Sequence, residues 1–123
     1  MLKFKLLLWL LSRLLQRAIN SQAACAKYVD GKHLVFQIRT RDGAGRHFTI
    51  ENRKVRSAAG LNPSAKFTLS FSNAAKGFSV LSAKNGKDAF LSALHDQDLD
   101  ISGDFIEVMW FQGLAEFLQP AKP

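Results

Sequence analysis

The chain has 123 residues and a mass of 13.7 kDa, which is the size of a single domain. Its composition is 47% hydrophobic and 22% charged, which is typical of a globular chain and excludes a disordered or fibrous one. The single cysteine, Cys25, excludes an intramolecular disulfide framework and favours a reducing compartment. No Cys and His cluster has the spacing of a zinc site.

The net charge of +7 is concentrated at the N-terminus. Residues 1–27 carry five basic residues and no acid, whereas the rest of the chain carries twelve basic and ten acidic residues. A nucleic-acid-binding domain would instead cluster Lys and Arg over a folded face with aromatic residues between them. We therefore expect no nucleic-acid partner.

Residues 2–19 predict a Leu-rich amphipathic helix, because Gly and Pro are absent and apolar residues recur with helical spacing. Its uninterrupted apolar run, residues 6–11, is too short for a transmembrane span, which needs about 20 residues. Arg13 and Arg17 interrupt the apolar region, which disfavours a secretory signal.

Two interpretations of this helix remain. It lies on a membrane or a partner with its basic side toward anionic headgroups, or it packs on its own domain with that side solvated. We predict that membrane or partner contact uses the broad apolar side together with Trp9 at its boundary: Phe4, Leu7, Leu8, Trp9, Leu11, Leu14 and Leu15. Leu2, Leu6, Leu10 and Trp9 turn toward the basic side, so the first half of the helix is apolar nearly all round and needs cover on both faces.

From residue 33 onward the pattern changes to the alternation of half-buried strands. A hairpin turn is predicted at residues 42–45, and we expect the first four strands to form an antiparallel meander. The predicted strands are 33–41, 46–51, 54–58, 65–71 and 98–102.

Three helices are predicted in the second half of the chain. The first begins at the capping residue Ser72 and runs to about residue 82, and the second covers residues 87–95. The third, at residues 105–118, is apolar around nearly its whole circumference, so one sheet cannot bury all of it. A second apolar surface must meet it, either a lipid, a partner chain, a membrane or the N-terminal helix.

The sequence carries no catalytic motif, since it has neither a G-x-S-x-G turn nor a Gly-rich phosphate loop. His33, His47 and His95 fall at predicted surface positions. The acidic cluster at residues 96–104 lacks the Gly and Glu that an EF-hand loop requires, so we interpret it as the solvent face of a strand. We predict no enzyme activity, no catalytic residue, no metal and no cofactor.

Four features of the chain form a recognisable series: the turn at 42–45, the strand that leads into a helix at Ser72, the Asn85-Gly86-Lys87 break, and strand 99–102 followed by Gly103-Asp104 and a helix. On these features residues 34–118 resemble the sterol carrier protein type 2 (SCP2) lipid-binding domain family, and the chain looks like its stand-alone bacterial members. The resemblance implies an α+β fold with a five-stranded, mainly antiparallel sheet, helices over one face and a hydrophobic tunnel, here preceded by the amphipathic helix.

Members of this family bind or transfer fatty acids, acyl-CoA, sterols, phospholipids or isoprenoids without chemistry on them. The resemblance therefore implies a lipid ligand and no catalytic residue. The C-terminal Ala121-Lys122-Pro123 departs from the Ala-Lys-Leu-like peroxisomal signal of eukaryotic members. We expect a cytoplasmic protein that associates peripherally with the inner membrane face.

We divide the chain into an N-terminal helix (1–27), a lipid-binding domain (28–118) and a frayed tail (119–123). The tunnel is predicted to be lined by inward-facing apolar residues: Phe36, Ile38, Phe48, Ile50, Phe67, Leu69, Phe71, Phe78, Phe90, Leu94, Met109, Trp110 and Leu114. The alternative is an accessory interaction protein of a membrane-associated isoprenoid quinone biosynthetic complex. In that case the same residues form a solid core and the terminal helices form a homodimer or partner interface.

Overall fold

The computed structural model describes residues 2–41, 45–81, 83 and 86–118. Two helices come before the first strand and three come after the fourth, and the last helix ends in a 3-10 turn at Glu116–Leu118. The helices are α1 (Leu2–Ser21), α2 (Ala23–Val29), α3 (Ala74–Leu81), α4 (Gly86–His95) and α5 (Phe105–Ala115). The strands are β1 (Leu34–Thr40), β2 (Gly45–Glu51), β3 (Lys54–Ala59), β4 (Phe67–Phe71) and β5 (Leu99–Gly103).

The five strands form one mixed sheet in the order β3-β2-β1-β4-β5. Three neighbouring pairs are antiparallel, and β1 pairs with β4 in parallel. The α+β fold with a five-stranded, mainly antiparallel sheet is therefore confirmed, but the four-strand meander is wrong at its last strand. The chain passes from β3 to the far side of β1, where the Lys66 N–H donates to the Val35 carbonyl at 2.7 Å.

Alternation gives the sheet one apolar and one polar face. The inward positions of the three central strands are fully buried: Leu34, Phe36, Ile38, Phe48, Ile50, Phe67, Leu69 and Phe71. On the outward face, Gln37 Nε2 donates to Thr68 Oγ1 at 2.9 Å, and Gln37 Oε1 accepts from the Asn62 N–H at 2.7 Å. The helices cover the apolar face, as expected, because that face cannot remain in water.

Helix α1 packs on this apolar face and shares one core with the sheet. Its buried side chains include Phe4, Leu8, Leu11 and Leu15. The Phe4 ring lies edge-on to Phe71, with 6.4 Å between the ring centroids. Residues 2–21 are therefore packed on the domain that the sequence analysis began at residue 28, and the predicted tail lies outside the described residues.

The ends of the helices show where local predictions held and where they failed. α2 was not predicted, although Cys25 and Val29 of this short helix are buried. The N-cap of α3 is Asn73 and not Ser72: Asn73 Oδ1 accepts from the Lys76 N–H at 2.9 Å, while Ser72 Oγ donates to Asp98. Residues 42–44 of the predicted turn and Asn85 of the predicted break lie outside the described residues.

The close of the fold depends on Gly103 and Asp104. Gly103 has a φ of +105°, and a Cβ there would overlap the Lys66 carbonyl, so only glycine fits between β5 and β4. Asp104 caps α5 because its Oδ1 accepts from the Ile106 N–H at 3.0 Å and from the Glu107 N–H at 3.4 Å. This turn fixes the point at which α5 starts to cross the sheet.

Candidate functional site

The apolar face of the sheet and the inward side of α5 meet in what we call the inner apolar layer. Phe36 lies at its centre, with ring centroids 5.0 Å from Phe48, 5.2 Å from Phe67 and 4.7 Å from Phe111. The structure brings most of the predicted ligand-contact residues into or beside this layer as buried side chains: Phe36, Ile38, Phe48, Ile50, Phe67, Leu69, Phe71, Phe90 and Leu114.

The other four predicted residues lie at the edge of the core or outside it. Phe78 and Met109 are exposed, and Leu94 and Trp110 are half-buried. Helix α5 instead turns Val108, Phe111 and Leu114 inward. The sequence analysis missed Val108 and Phe111 as ligand-contact candidates, because a helix that is apolar all round does not show which side meets the sheet. Val108 and Phe111 precede the predicted Leu114 by six and three residues, and this helical spacing was the signal that could have identified them.

The inner apolar layer contains no charged side chain. Among the described residues, the buried polar side chains are Ser12 and Thr40, and no buried side-chain nitrogen or oxygen lacks a partner. A group enclosed there would therefore meet hydrocarbon and aromatic surface only. Such an environment accepts an apolar chain and rejects a charged or strongly polar group.

The rings of the inner apolar layer are in contact in this structure. Two cavities of the described chain lie outside the layer: one of about 480 Å³ between α1 and β3, and one of about 290 Å³ on the outward face of β2 and β3. Both are lined mainly by polar side chains. The structure thus shows the inner layer packed, and the rings must separate to admit a ligand.

The predicted contact surface of α1 is divided by the fold. Phe4, Leu8, Leu11 and Leu15 are buried in the core, Leu7 is half-buried, and only Trp9 and Leu14 of the predicted set are exposed. The physical reason is that the sheet needs the broader apolar side of α1 as its own cover. The four buried residues therefore do not form an outer surface.

The solvent-facing side of α1, which we call its outward side, carries large apolar residues. The exposed fractions are 57% for Leu6, 45% for Trp9, 40% for Leu10 and 37% for Leu14. Basic residues lie between them, and the Arg13 guanidinium is 5.5 Å from the centroid of the Trp9 ring. None of the described helices is long and apolar enough to cross a bilayer.

Helix α5 carries a second exposed apolar cluster on the side away from the sheet. The exposed fractions are 55% for Phe105, 78% for Ile106 and 56% for Met109. The opposite flank is attached to α2, where Trp110 stacks on Tyr28 at 5.1 Å and the Tyr28 hydroxyl donates to the Trp110 carbonyl at 2.7 Å. Burial, and then the charge of Glu116, raise the pKa of Tyr28, so this hydroxyl stays protonated at neutral pH.

Three described side chains with nucleophilic or basic character are buried or hydrogen-bonded: Cys25, His47 and His95. Burial raises the pKa of Cys25, which keeps its thiol protonated and unreactive. His47 Nδ1 lies 3.1 Å from the Gly60 carbonyl, and His95 Nδ1 lies 3.2 Å from Asp96 Oδ1. In the part of the chain that the structure describes, no three His, Cys, Asp or Glu side chains are grouped as metal ligands.

No protein-family model and no curated protein matches the sequence, but solved structures match the fold. A "UbiJ-SCP2 Ubiquinone synthesis protein" matches with a TM-score of 0.68 and 18% identity, covering 94% of this chain and 97% of that one. A crystal structure of sterol carrier protein 2 matches with a TM-score of 0.57 and 16% identity, covering 90% of this chain and 95% of that one.

The stereoselective inverting sec-alkylsulfatase Pisa1 from Pseudomonas sp. also matches, with a TM-score of 0.57 and 15% identity, but this fold is only 14% of that chain and covers 79% of ours. These identities establish likeness of fold. The chain thus has an SCP2-like fold, as the features of residues 34–118 predicted. Because the same fold is also part of a sulfatase chain, the function must be argued from the layer and surfaces described above.

Proposed function

We propose that this protein is a non-enzymatic lipid carrier that holds the apolar tail of a lipid in the inner apolar layer. The observation that supports this most directly is the layer around Phe36, which is wholly apolar and is enclosed between the sheet and α5. The neighbour named sterol carrier protein 2 has the same fold. A fatty acid, acyl-CoA, sterol, phospholipid or isoprenoid presents the apolar chain that this layer accepts.

A tail enters the layer by separating Phe111 from Phe36 and Phe67. Each aromatic pair contributes about 0.5–1.5 kcal/mol beyond its buried area. Each methylene moved from water into the layer contributes about 0.8 kcal/mol. A chain of about ten methylenes contributes about 8 kcal/mol and therefore exceeds the about 1–3 kcal/mol of two ring contacts, whereas a chain of two or three methylenes only about matches it.

A titration with saturated fatty acids of increasing chain length tests this proposal. The Trp9→Phe variant leaves Trp110 as the single tryptophan beside the layer. We expect a saturable change in Trp110 emission and a dissociation constant that falls about fourfold per added methylene until the chain fills the available space. Native mass spectrometry of the purified protein, beside a solvent extract of it, should show one co-purifying lipid per chain.

A protein that stays free of lipid after incubation with fatty acid, phospholipid and quinone, and whose Trp110 emission does not change, would contradict the carrier. The second candidate would then take its place: an accessory protein of a membrane-associated biosynthetic complex with a solid core. Two observations favour that candidate, the close contact of the layer's rings and the exposed cluster of Phe105, Ile106 and Met109. The neighbour named as a ubiquinone synthesis protein fits this candidate as well.

The two candidates differ in what covers the exposed cluster on α5. An interface there predicts that Ile106→Asp changes the mass measured by light scattering, if the partner is a second copy of the chain. Leu91→Asp on α4, another exposed apolar position, is the matched control. For the carrier we expect both variants to have the same mass as the unmodified protein.

We further propose that the carrier attaches peripherally to the cytoplasmic face of the inner membrane through the outward side of α1. Leu6, Trp9, Leu10 and Leu14 are exposed there among basic residues, which is the composition of an interfacial helix. Removing residues 1–20 cannot test this, because Phe4, Leu8 and Leu15 belong to the core.

Point variants on the exposed positions provide the usable test. Leu6→Ser with Leu10→Ser should weaken co-sedimentation with anionic vesicles about tenfold or more, because their side chains no longer enter the interface. Leu61→Ser, on the opposite face of the sheet, is the control and should leave it unchanged. An equal loss of vesicle binding in the Leu6/Leu10 double variant and in Leu61→Ser would refute attachment through α1.

A further inference from the structure

A polar cleft of about 480 Å³ lies between the flank of α1 and the edge strand β3. One wall of the cleft is formed by six residues of α1, which include Arg13, Gln16, Arg17 and Asn20. The other wall is formed by Val55 of β3. No carboxylate lines the cleft. In the sequence the first acid after the N-terminus is Asp30, so α1 itself contributes positive charge only.

The two arginines of the cleft are available to a ligand. Other arginines near acids are paired: Arg53 with Asp30 at 3.0 Å and Arg41 with Asp100 at 3.1 Å. Within the described residues, the guanidinium groups of Arg13 and Arg17 form no hydrogen bond or ion pair, and Arg13 only approaches the Trp9 ring. Residues four apart are neighbours on a helix surface, so both groups can reach one anion.

Gln16 fixes the base of the cleft between these arginines. Its Oε1 accepts from the Val55 N–H at 2.7 Å, and its Nε2 donates to the Arg53 carbonyl and to Asn20 Oδ1, each at 3.1 Å. These bonds hold α1 to the edge of the sheet. The backbone of Arg13 and Arg17 is therefore held in place by the helix and its bonds to the sheet, and does not depend on a loop.

Apolar surface lies directly beside the cleft. Leu10 and Leu14 are each three residues before an arginine of the cleft, which places them next to Arg13 and Arg17 on the helix surface, and both are exposed. An anion bound in the cleft therefore has a hydrocarbon-binding surface at its side. A free inorganic anion would bind in the cleft without contacting that apolar surface. A phospholipid in a bilayer contacts the cleft with its headgroup and the apolar surface with its hydrocarbon chains.

We propose that the cleft between α1 and β3 binds the phosphate of an anionic phospholipid headgroup, with Arg13 and Arg17 as the ligands, while the outward side of α1 rests in the same leaflet. This inference depends on the proposed membrane attachment and adds a headgroup site to it. It predicts that the protein distinguishes anionic from zwitterionic vesicles through two arginines and not through its overall charge.

Co-sedimentation with vesicles of phosphatidylcholine alone and of phosphatidylcholine with phosphatidylglycerol tests the site. Arg13→Gln with Arg17→Gln should weaken partition into the anionic vesicles about 25-fold, about fivefold for each arginine. Lys54→Gln with Arg56→Gln, which removes the same charge from the exposed face of β3, is the matched control and should weaken it less than threefold. An equal loss in both double variants would overturn the site, because overall charge would then explain the preference.

Two further measurements separate the remaining outcomes. Inorganic phosphate, added at constant ionic strength, should not release the protein from anionic vesicles; complete release would overturn the headgroup assignment in favour of a free-phosphate site. Fatty-acid binding followed by Trp110 emission in the Trp9→Phe variant should be the same with and without the substitutions at Arg13 and Arg17. If anionic preference is retained in a protein that binds no fatty acid, the headgroup site stands and the lipid carrier does not.

Discussion

Helices α1 and α5 both carry apolar residues on two sides, but they are attached to the sheet to different extents. Buried apolar side chains recur along the length of α1: Phe4, Leu8, Leu11, Leu15, Ala18 and Ile19. In α5 only Val108, Phe111 and Leu114 are buried, and the flank is held by the Tyr28–Trp110 contact and by a 2.6 Å ion pair between Lys32 and Glu107. A segment with fewer buried contacts opens at a lower free energy.

The difference is the basis for proposing separate roles for the two covers of the inner apolar layer. In the proposed carrier α1 is the fixed cover, and its outward side serves the membrane because its attachment does not need to change. There α5 is the cover that moves, since its inward residue Phe111 must leave Phe36. In the proposed carrier a lipid tail therefore reaches the layer past α5.

The largest expected effect concerns the attachment of α1. Phe4→Ala should lower the free energy of unfolding by about 3–5 kcal/mol, because it leaves a cavity beside Phe71 in the core. Leu6→Ala, two residues away on the exposed side, should change it by less than about 0.5 kcal/mol. Urea unfolding of both variants measures the difference, and a small effect of Phe4→Ala would show that α1 is not a fixed cover.

The next effect concerns the close approach of α1 to α3. A Cβ at Gly77 would stand 2.5 Å from Cε1 of the buried Phe4 ring. Overpacking of a core costs about 1–3 kcal/mol, whereas Ala in place of Gly favours a helix by about 1 kcal/mol. Gly77→Ala should therefore lower the free energy of unfolding by up to about 2 kcal/mol.

Ala75, which is exposed on the same helix, provides the control for that experiment. Ala75→Gly should destabilise the protein by about 1 kcal/mol through helix propensity alone. If Gly77→Ala instead stabilises the protein by a similar amount, then the Phe4 ring has room to move. The packing of α1 against α3 would then be looser than the burial of Phe4 indicates.

The sequence predicts where the strands and helices of this fold lie better than it predicts which strands pair in the sheet. The sequence located all five strands, and alternation gave the inward face of all but the short strand at 54–58, because a period of two residues specifies which side chains point inward. It did not place β4 beside β1, because Phe67, Leu69 and Phe71 satisfy an inward apolar face equally well next to β3. Pairing across the sheet depends on the path of residues 60–66, which carries no periodic signal.

The candidate site was predictable to a similar extent: its strand residues followed from the sequence, but the inward sides of its helices did not. The inward residues of the strands form the inner apolar layer, but the helical wheel of α1 offered two apolar sides and could not decide which one the sheet would take. The structure buries Phe4 and Leu8 and leaves Leu6 and Leu10 outside. The same limit applies to α5, in which Met109 faces solvent and Val108 faces the core.

A smaller effect is expected where Gln16 joins α1 to the edge of the sheet. Gln16→Ala removes the hydrogen bonds of its side chain to the Val55 N–H and the Arg53 carbonyl. Because water replaces these bonds at a half-exposed site, the free energy of unfolding should fall by only about 1–2 kcal/mol. Hydrogen exchange at the Val55 amide should become faster, and an unchanged rate would show that Gln16 does not protect this edge strand.

The smallest effect concerns the attachment of α5 and depends on pH. Tyr28→Phe removes the bond to the Trp110 carbonyl and should lower the free energy of unfolding by about 1 kcal/mol at neutral pH. The pKa of Tyr28 is raised in the folded protein, so the folded state holds this proton more tightly than the unfolded chain. The stability that results is present below the ordinary tyrosine pKa of about 10 and is lost as the pH rises through the raised value.

Comparison of the two proteins across this range isolates the contribution of Tyr28, because they differ at that residue alone. Tyr28 is the single tyrosine of the chain, so its ionisation can be followed by absorbance without interference from another phenol. The stability gap between the unmodified protein and Tyr28→Phe should narrow above pH 10, and hydrogen exchange in α5 should rise over the same range while α1 stays protected. If α1 and α5 instead lose protection together, the two covers open as one unit, and separate access past α5 is ruled out.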